Sequence, residues 1–373
     1  MKLKHTGKVA VGVAVIAVAL TGCGAGGDGA DGSSNDDPVA GAEALGGEEI
    51  AAQLDELYAA AQEAGETSVI AYGPGEQLYG AAYQTFMQRY PDISVTGEYI
   101  FGAELSTRLE QEAASGQNVG SILTAGPPAV NAANGAGQCS AYEPFTAEYL
   151  DSDLISEGGT YRALVGYPFG IGYNTDLISE ADLPQTYTDL SDPAFSGQFV
   201  LNDPTTVNGT TNTMAAMWAD GLIDEAWVAD VGAQDSLFRT NAALATQAVA
   251  TGEAAFDPFT QYVTFKQSID DGLPVDFYFP LENARIEYHY SCVLEGAPNS
   301  NATELFYNWL FTPEGQEALS TTGVYGIRPD TPSPEGLPSF EEATADLMAS
   351  PAVAEAGATT QQFLEVARQY FQP

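Results

Sequence analysis

From residue 49 onward, short β-rich runs alternate with helical stretches. This alternation confines the chain to an α/β fold with a largely parallel sheet. Residues 49–63 place Ile50, Leu54, Leu57, Ala60 and Ala61 at helical spacing, and Gly65 stops the run. Residues 68–72 read as a strand, Gly73-Pro74-Gly75 as a turn, 76–90 as a helix and 93–99 as a strand. Residues 104–114 form a helix with Leu105 and Leu109 inward, and 119–123 another strand. The alternation resumes with strands at 199–201, 254–256 and 277–279. Helices are expected at 212–218, 303–310, 313–320 and over most of 339–371. There is no internal repeat and no heptad array.

At 373 residues the chain has room for about two domains. Two α/β lobes facing each other make a cleft, because ligands of open α/β sheets sit outside the carboxyl ends of the strands. Three such strand ends carry loop chemistry. They are Tyr72-Gly73-Pro74-Gly75-Glu76, Thr124-Ala125-Gly126, and the loop over 204–211 with Asn208-Gly209-Thr210. Backbone N–H groups at helix starts after the first and third are suited to an oxyanion, although a plain turn and ordinary capping by Thr211 or Asn212 explain them equally.

The charge balance narrows the partners. With 51 Asp and Glu against 11 Lys and Arg, the net charge is −40. There are too few cations to displace counterions from a nucleic acid or to grip anionic lipid. Lys2, Lys4 and Lys8 open the chain, and the only later lysine is Lys266. After the basic start comes an apolar run over 9–20, shorter than the roughly 20 residues of a comfortable span, and then Leu20-Thr21-Gly22-Cys23. The last four resemble a bacterial lipobox. The resemblance implies a signal peptide over 1–22, lipidation of Cys23, and attachment to the outer side of the cell membrane through lipid. Residues 24–48, rich in Gly, Ala, Ser and Asp, read as a flexible tether.

An ordered set of segments carries a wider resemblance. Residues 57–66 look like an opening helix, Phe169-Gly170-Ile171-Gly172-Tyr173-Asn174-Thr175-Asp176-Leu177 like a crossover strand, and Asp189-Leu190-Ser191-Asp192-Pro193 with Asp203-Pro204 like a shared loop. Trp309-Leu310-Phe311-Thr312-Pro313-Glu314-Gly315 with Tyr325-Gly326-Ile327-Arg328-Pro329 is similar to a late helix and return. Together they resemble the solute-binding lipoproteins of bacterial ABC importers, in the branch that includes ferric-iron binders. The resemblance implies a two-lobed, type II periplasmic-binding-protein-like fold with a ligand cleft between lobes. Lobe 1 would take 49–168 and 285–325, lobe 2 would take 169–284, and C-terminal helices over 326–373 would pack on lobe 2. It implies a monomer that captures a small solute by lobe closure and hands it to a membrane permease, without catalysis and without a resident cofactor. The cargo would be ferric iron or an iron complex.

Iron binders of this branch use paired tyrosines after a Gly-Glu motif. Here Gly252-Glu253 is followed by Tyr262, but the next residue is Val263. One tyrosine of the pair is present and one is absent. Tyr262, Tyr288 and Glu282 are therefore the candidate hard-metal donors. Arg285 instead suits a carboxylate or phosphate through its planar fork, which keeps a small organic anion open as the ligand. In a strand over 285–290, Tyr288 and Tyr290 share one face and Glu287 and His289 the other. The candidate cleft residues are thus Tyr72, Gly75, Glu76, Gly126, Asn208, Gly209, Thr210, Tyr262, Glu282, Arg285 and Tyr288. His289 reads as a structural hydrogen-bonder; Tyr173 and Trp218 could stack on an organic ligand, although Trp218, at helical spacing with Met214, reads as core. Cys139 and Cys292 are either bridged outside the cytosol or two buried thiols. A hydrolase would have to use His289, and there is no G-x-S-x-G elbow.

Overall fold

The computed structural model describes residues 38–349 and 355–372. Helices α1 (Pro38–Leu45) and α2 (Glu48–Ala64) come first, followed by β1 (Ser68–Gly73), α3 (Gly80–Arg89), β2 (Ser94–Tyr99), α4 (Gly102–Ser115), β3 (Ile122–Ala125) and α5 (Pro127–Gly135). The long strand β4 (Arg162–Asn174) leads to β5 (Val200–Asn202), α6 (Gly209–Ala219), α7 (Glu225–Gly232) and β6 (Leu237–Arg239). After these come α8 (Ala242–Ala250), β7 (Phe256–Gln261), α9 (Tyr262–Asp270) and β8 (Val275–Tyr278). The chain returns through β9 (Arg285–Val293) to α10 (Ser300–Trp309), α11 (Pro313–Ser320), β10 (Tyr325–Gly326), α12 (Phe340–Thr344) and α13 (Ala356–Tyr370).

β4 and β9 join the two lobes. All 13 residues of β4 are buried, and at about 3.3 Å per residue it runs roughly 40 Å, long enough to serve both. Its first half, Arg162 to Phe169, pairs antiparallel with β9, and Gly166 and Val165 pair with β10. Its second half, Phe169 to Asn174, pairs with β7 and β8. β9 continues into lobe 1 beside β3, which lies parallel to β1, itself parallel to β2. The short β5–β6 pair is parallel and belongs to lobe 2.

Each lobe has its own core. In lobe 1, Leu54, Phe86, Ile122, Phe306 and Trp309 are wholly enclosed, and Phe86 lies edge-on to both Phe306 and Trp309. Lobe 2 buries Phe199, Met214, Phe256 and Phe363 in one cluster and Val249, Phe265 and Phe277 in another. Tyr173 is buried in the first of these rather than presented to a ligand, and Trp218 packs on Phe363 at its margin, in line with the core reading for Trp218. Helix α13 packs on α6 and α7, and its start touches α5 across the lobe boundary. Cys139 and Cys292 form a disulfide with Cα atoms 5.7 Å apart, tying β9 to the segment after α5.

Three expectations are corrected here. The tether reading fails over its last part, because 38–45 is helix α1, packed on α2 and α11, with Leu45 buried in the lobe 1 core. Ala42 and Leu45 are buried there, so a short stretch with few apolar residues folds once a neighbouring surface receives them. The helix expected from residue 76 starts at Gly80, after a turn over 74–79 whose Glu76 and Tyr79 side chains are held in buried hydrogen bonds. The helix expected from 212 starts at Gly209 and is capped by Asn208 rather than Thr211 or Asn212. The basic leader, the apolar run and Cys23 lie outside the described residues. No described helix is long and apolar enough to cross a membrane.

Candidate functional site at the lobe junction

The strand-end loops converge on one face of the β4–β9 pair. Register sets Tyr167 opposite Glu287, Phe169 opposite Arg285 and Val165 opposite His289, so these side chains share a face. The first loop closes on it tightly: a Cβ on Gly75 would lie 2.3 Å from the Tyr167 hydroxyl and 2.9 Å from that of Tyr79. Gly126, the N-cap of α5, sits beside Glu287 and His289, and Gly209, at the start of α6, sits under the Phe169 ring. Thus both lobes reach the same patch.

The patch is a buried polar network. The Tyr79 and Tyr167 hydroxyls are hydrogen-bonded at 2.5 Å, and the His289 ring lies against Tyr167 with centroids 4.2 Å apart. Tyr83 donates to Glu76 Oε2, while Glu76 Oε1 is buried without a hydrogen-bond partner. Arg285 Nη2 donates to Glu287 Oε2 at 3.1 Å, and His289 Nε2 stands 3.6 Å from Glu287 Oε1. His289 Nδ1 has no hydrogen-bond partner. Burial alone would raise the Glu287 pKa, but the neighbouring His289 and Arg285 hold it below the usual carboxylate range. Glu76 has no such counter-charge, and burial pushes it up to about 7 despite the Tyr83 hydrogen bond. Burial likewise raises Tyr79, Tyr83 and Tyr167, and the charge of Glu76 adds to this in all three. Beside the network a cavity of about 60 Å³ opens between α5, β9, α6 and α13. Pro128, Asn212, Tyr288 and Thr360 border it together with Arg285 and Glu287. That volume admits an ion and a little water, well short of the roughly 300 Å³ and upward of organic-ligand sites.

A family model described as "bacterial extracellular solute-binding protein" matches residues 81–349, well over half the chain. The chain belongs to this family. Solved structures share its fold at low identity. Iron-bound HitA from Pseudomonas aeruginosa is similar with a TM-score of 0.68 and 21% identity, over 80% of this chain and 99% of that one. The substrate-binding protein of an ABC transporter from Agrobacterium tumefaciens gives 0.69 and 14%, over 81% and 94%. AfuA from Actinobacillus pleuropneumoniae, with fructose-6-phosphate bound, gives 0.65 and 17%, over 82% and 98%. An uncharacterized protein of Haemophilus influenzae is 24% identical over 198 residues, which cover 49% of this chain and 56% of that relative. The chain thus spans about half the length of the curated relative it matches.

Within this solute-binding fold the expected residues separate into groups. Gly75, Glu76, Gly126, Gly209 and Arg285 are at the junction, and Tyr288 borders the cavity. Asn208 is used in capping: its Oδ1 accepts from the Thr211 N–H at 3.1 Å and its Nδ2 donates to the Asp203 carbonyl at 2.6 Å. Thr210, next along α6, is buried with no hydrogen-bond partner for its hydroxyl. Three placements are corrected. Tyr72 turns into lobe 1, donating to Glu112 at 2.7 Å beneath Arg108, because β1 alternates and Tyr72 falls on the face covered by α4. Tyr262 opens α9, packs on Phe277 and donates to the Glu335 carbonyl at 2.7 Å. Glu282 is exposed in the turn before β9. No hydrogen bond or ring contact joins Tyr262, Glu282 and Tyr288. Among the described residues no three His, Cys, Asp or Glu side chains form a metal-ligand group either.

Tyr79, Tyr83, Tyr167, Glu287 and His289 were not among the candidates. Glu287 and His289 carried a signal, namely their shared face with Arg285. Tyr79 and Tyr167 meet only through the β4 register and the turn over 74–79.

Proposed function

We propose that this protein is the solute-capturing subunit of an ABC importer, anchored outside the membrane through a lipidated Cys23 and acting as a monomer. Its cargo in this reading is ferric iron or a small ferric complex. The observation that carries the reading is the junction itself, where a space sized for an ion is bordered by Tyr288, Tyr290 and the Glu287 carboxylate and lies beside the buried phenol and carboxylate network. Hard oxygen donors suit a hard trivalent cation. The likeness to iron-bound HitA is consistent with this. Closing of the lobes about β4 and β9 would enclose the cargo, and a ligand that favours the closed form biases that equilibrium. The permease would then read the closed form.

A second reading, a small organic anion such as a sugar phosphate or phosphonate, has Arg285 at the junction in its favour, as well as the fold shared with AfuA. Against it stands the Arg285 fork, already engaged by Glu287. Thermal unfolding of the purified chain with ferric citrate, fructose 6-phosphate or a simple phosphonate separates the two. A true cargo at 100 times its Kd adds about 2.7 kcal/mol and is recovered unchanged. Stabilisation by the organic anion alone would reverse the assignment, and turnover of any ligand would end the binding-protein reading.

A further inference from the structure

The strand registers fix which way the ends of each sheet point. In lobe 1, β3 runs antiparallel to β9 with Ala125 opposite Tyr290, so its carboxyl end points toward the junction residues 285–289. β1 and β2 run parallel to it. In lobe 2, Gln261 at the carboxyl end of β7 lies opposite Phe169 in the middle of β4. β5 runs parallel to β7 through the Phe199–Phe256 bridge, and β6 parallel to β5. β2 and β6 are the strands farthest from β4 and β9 in the two lobes. Their carboxyl ends therefore form the two lips at the mouth of the cleft.

These lips are apolar. Among the described residues eight large hydrophobic side chains are exposed, and four of them sit here. Tyr99 ends β2 and Phe101 follows it; they are 51% and 54% exposed, with ring centroids 5.2 Å apart. Val207, 56% exposed, lies in the loop after β5, and Leu244, 40% exposed, in the first turn of α8 after β6. The lobe 1 lip is continuous with the junction. Tyr99 pairs with Gly73, whose carbonyl accepts from the Ile100 N–H at 3.3 Å, and the same loop carries Gly75 against Tyr167. The lips also differ in charge. Glu98 and Glu104 flank the aromatic pair, and Arg108 one turn on is held by Glu112. The lobe 2 lip has Arg239 at the end of β6, paired with Glu253, and Arg368, whose Nε donates to the Thr205 carbonyl at 3.1 Å. These are two of only eight Lys and Arg beyond residue 8.

We propose that the two lips are a latch. Lobe closure brings Tyr99 and Phe101 onto Val207 and Leu244, excludes water from all four, and sets Glu98 and Glu104 against Arg239 and Arg368 at the rim. Apolar burial then favours the closed form from the mouth of the cleft, away from the cargo. The latch rests on the lobe-closure reading above and is independent of which cargo is carried.

The first test needs no cargo. In the full chain with Cys23→Ser, the pair Phe101→Cys/Val207→Cys is treated with a short bismaleimide and bridging is followed by electrophoresis. The control pair is Val119→Cys/Val207→Cys, because Val119 is an exposed apolar residue at the amino end of β3, on the far side of lobe 1. The expected result is bridging within one chain at least tenfold faster than in the control. Bridging no faster than the control overturns the latch, and so do bridges that join two chains, which would make the lips a contact between copies. The second test measures dissociation of ferric nitrilotriacetate and of fructose 6-phosphate. For whichever stabilises the unaltered chain, Tyr99→Ser/Phe101→Ser releases it at least tenfold faster at unchanged stoichiometry, and Leu177→Ser, an exposed apolar site beyond the end of β4, does not. Thermal unfolding shows that each variant is folded. A release rate unchanged in the folded double variant overturns the latch and leaves the cargo reading standing. If neither ligand stabilises the unaltered chain, both cargo readings fall, and the bridging rate decides the latch alone.

Discussion

The two faces of strand β9 differ in kind although they alternate residue by residue. One carries Arg285, Glu287 and His289, all buried, interlocked by charge and set against Tyr167. The other carries Ile286, Tyr288, Tyr290 and Cys292, fixed by aromatic packing against Tyr161 and by the bridge to Cys139. The first face carries interlocked charges, and the second is apolar and aromatic, its polar atoms limited to the Tyr288 and Tyr290 hydroxyls at the cavity. A buried ion pair is poor value as a stabiliser, since desolvation offsets most of its attraction. Its presence on one face only points to a use in binding, whereas the covalent and aromatic face points to support.

The largest effect is expected from breaking the charged face. Arg285→Met leaves Glu287 enclosed with only His289 near it and should cost about 3–5 kcal/mol in denaturant unfolding. A loss below about 1 kcal/mol would mean that the charges contribute nothing to each other and would erase the contrast. On the supporting face, replacing Cys139 and Cys292 by Ser opens a loop with a sequence separation of 153, and about 2–5 kcal/mol should be lost, with ferric affinity of the folded protein changed little.

A buried acid without a counter-charge sharpens the comparison. Asp257 on β7 lies in lobe 2 with only the Phe259 N–H bonded to it, and burial raises it to about 7. Its unfolded value is near 3.8, so the unfolded chain releases this proton first. Stability is therefore lost as pH rises from about 4 to 7, by roughly 4 kcal/mol at most. Asp257→Asn should flatten the pH dependence of the melting temperature across that window. Glu287 behaves oppositely: its contribution is present above the ordinary carboxylate range and fades as pH falls below it. An unchanged slope in Asp257→Asn would contradict the comparison.

Smaller effects come from sterics. Gly75→Ala pushes a methyl onto the Tyr167 and Tyr79 hydroxyls and should cost about 1–3 kcal/mol. Tyr288→Phe on the supporting face removes a hydroxyl at the edge of the cavity and should stay within about 0.5 kcal/mol. If Tyr288→Phe proved the more damaging of the two, the roles of the faces would be exchanged.

Much of the fold was legible in the sequence because periodicity and punctuation are local. Gly65 ends α2 in the left-handed region at φ 70°, where glycine alone is comfortable, and the alternation of strand and helix gave the α/β class. The division of β9 into two faces was legible for the same reason. Which face turns toward the loops was not, because it depends on the register of β4 against β9, and a shift of one residue would exchange them. Tyr167 carried no local mark, since its partner Tyr79 lies 88 positions away. Tyr262 misled because a family motif supplied its role, while the hydroxyl's actual partner, the Glu335 carbonyl, comes from a distant loop. Helix α1 escaped notice because composition averages over a stretch, whereas burial of Leu45 depends on what lies next to it.

Helix α1 has a mechanical consequence. It rests on α2 and α11, so the described chain begins in lobe 1. Under the anchored reading proposed above, a pull on the chain before α1 would be borne by the lobe that also contains the covalent bridge and the β1–β2–β3 sheet. Lobe 2 hangs from β4, β9 and the return segment after residue 320. On that reading the molecule would work as a bracket with one leaf fixed and the other hung, and it is the hung leaf that would swing when the junction loads or empties.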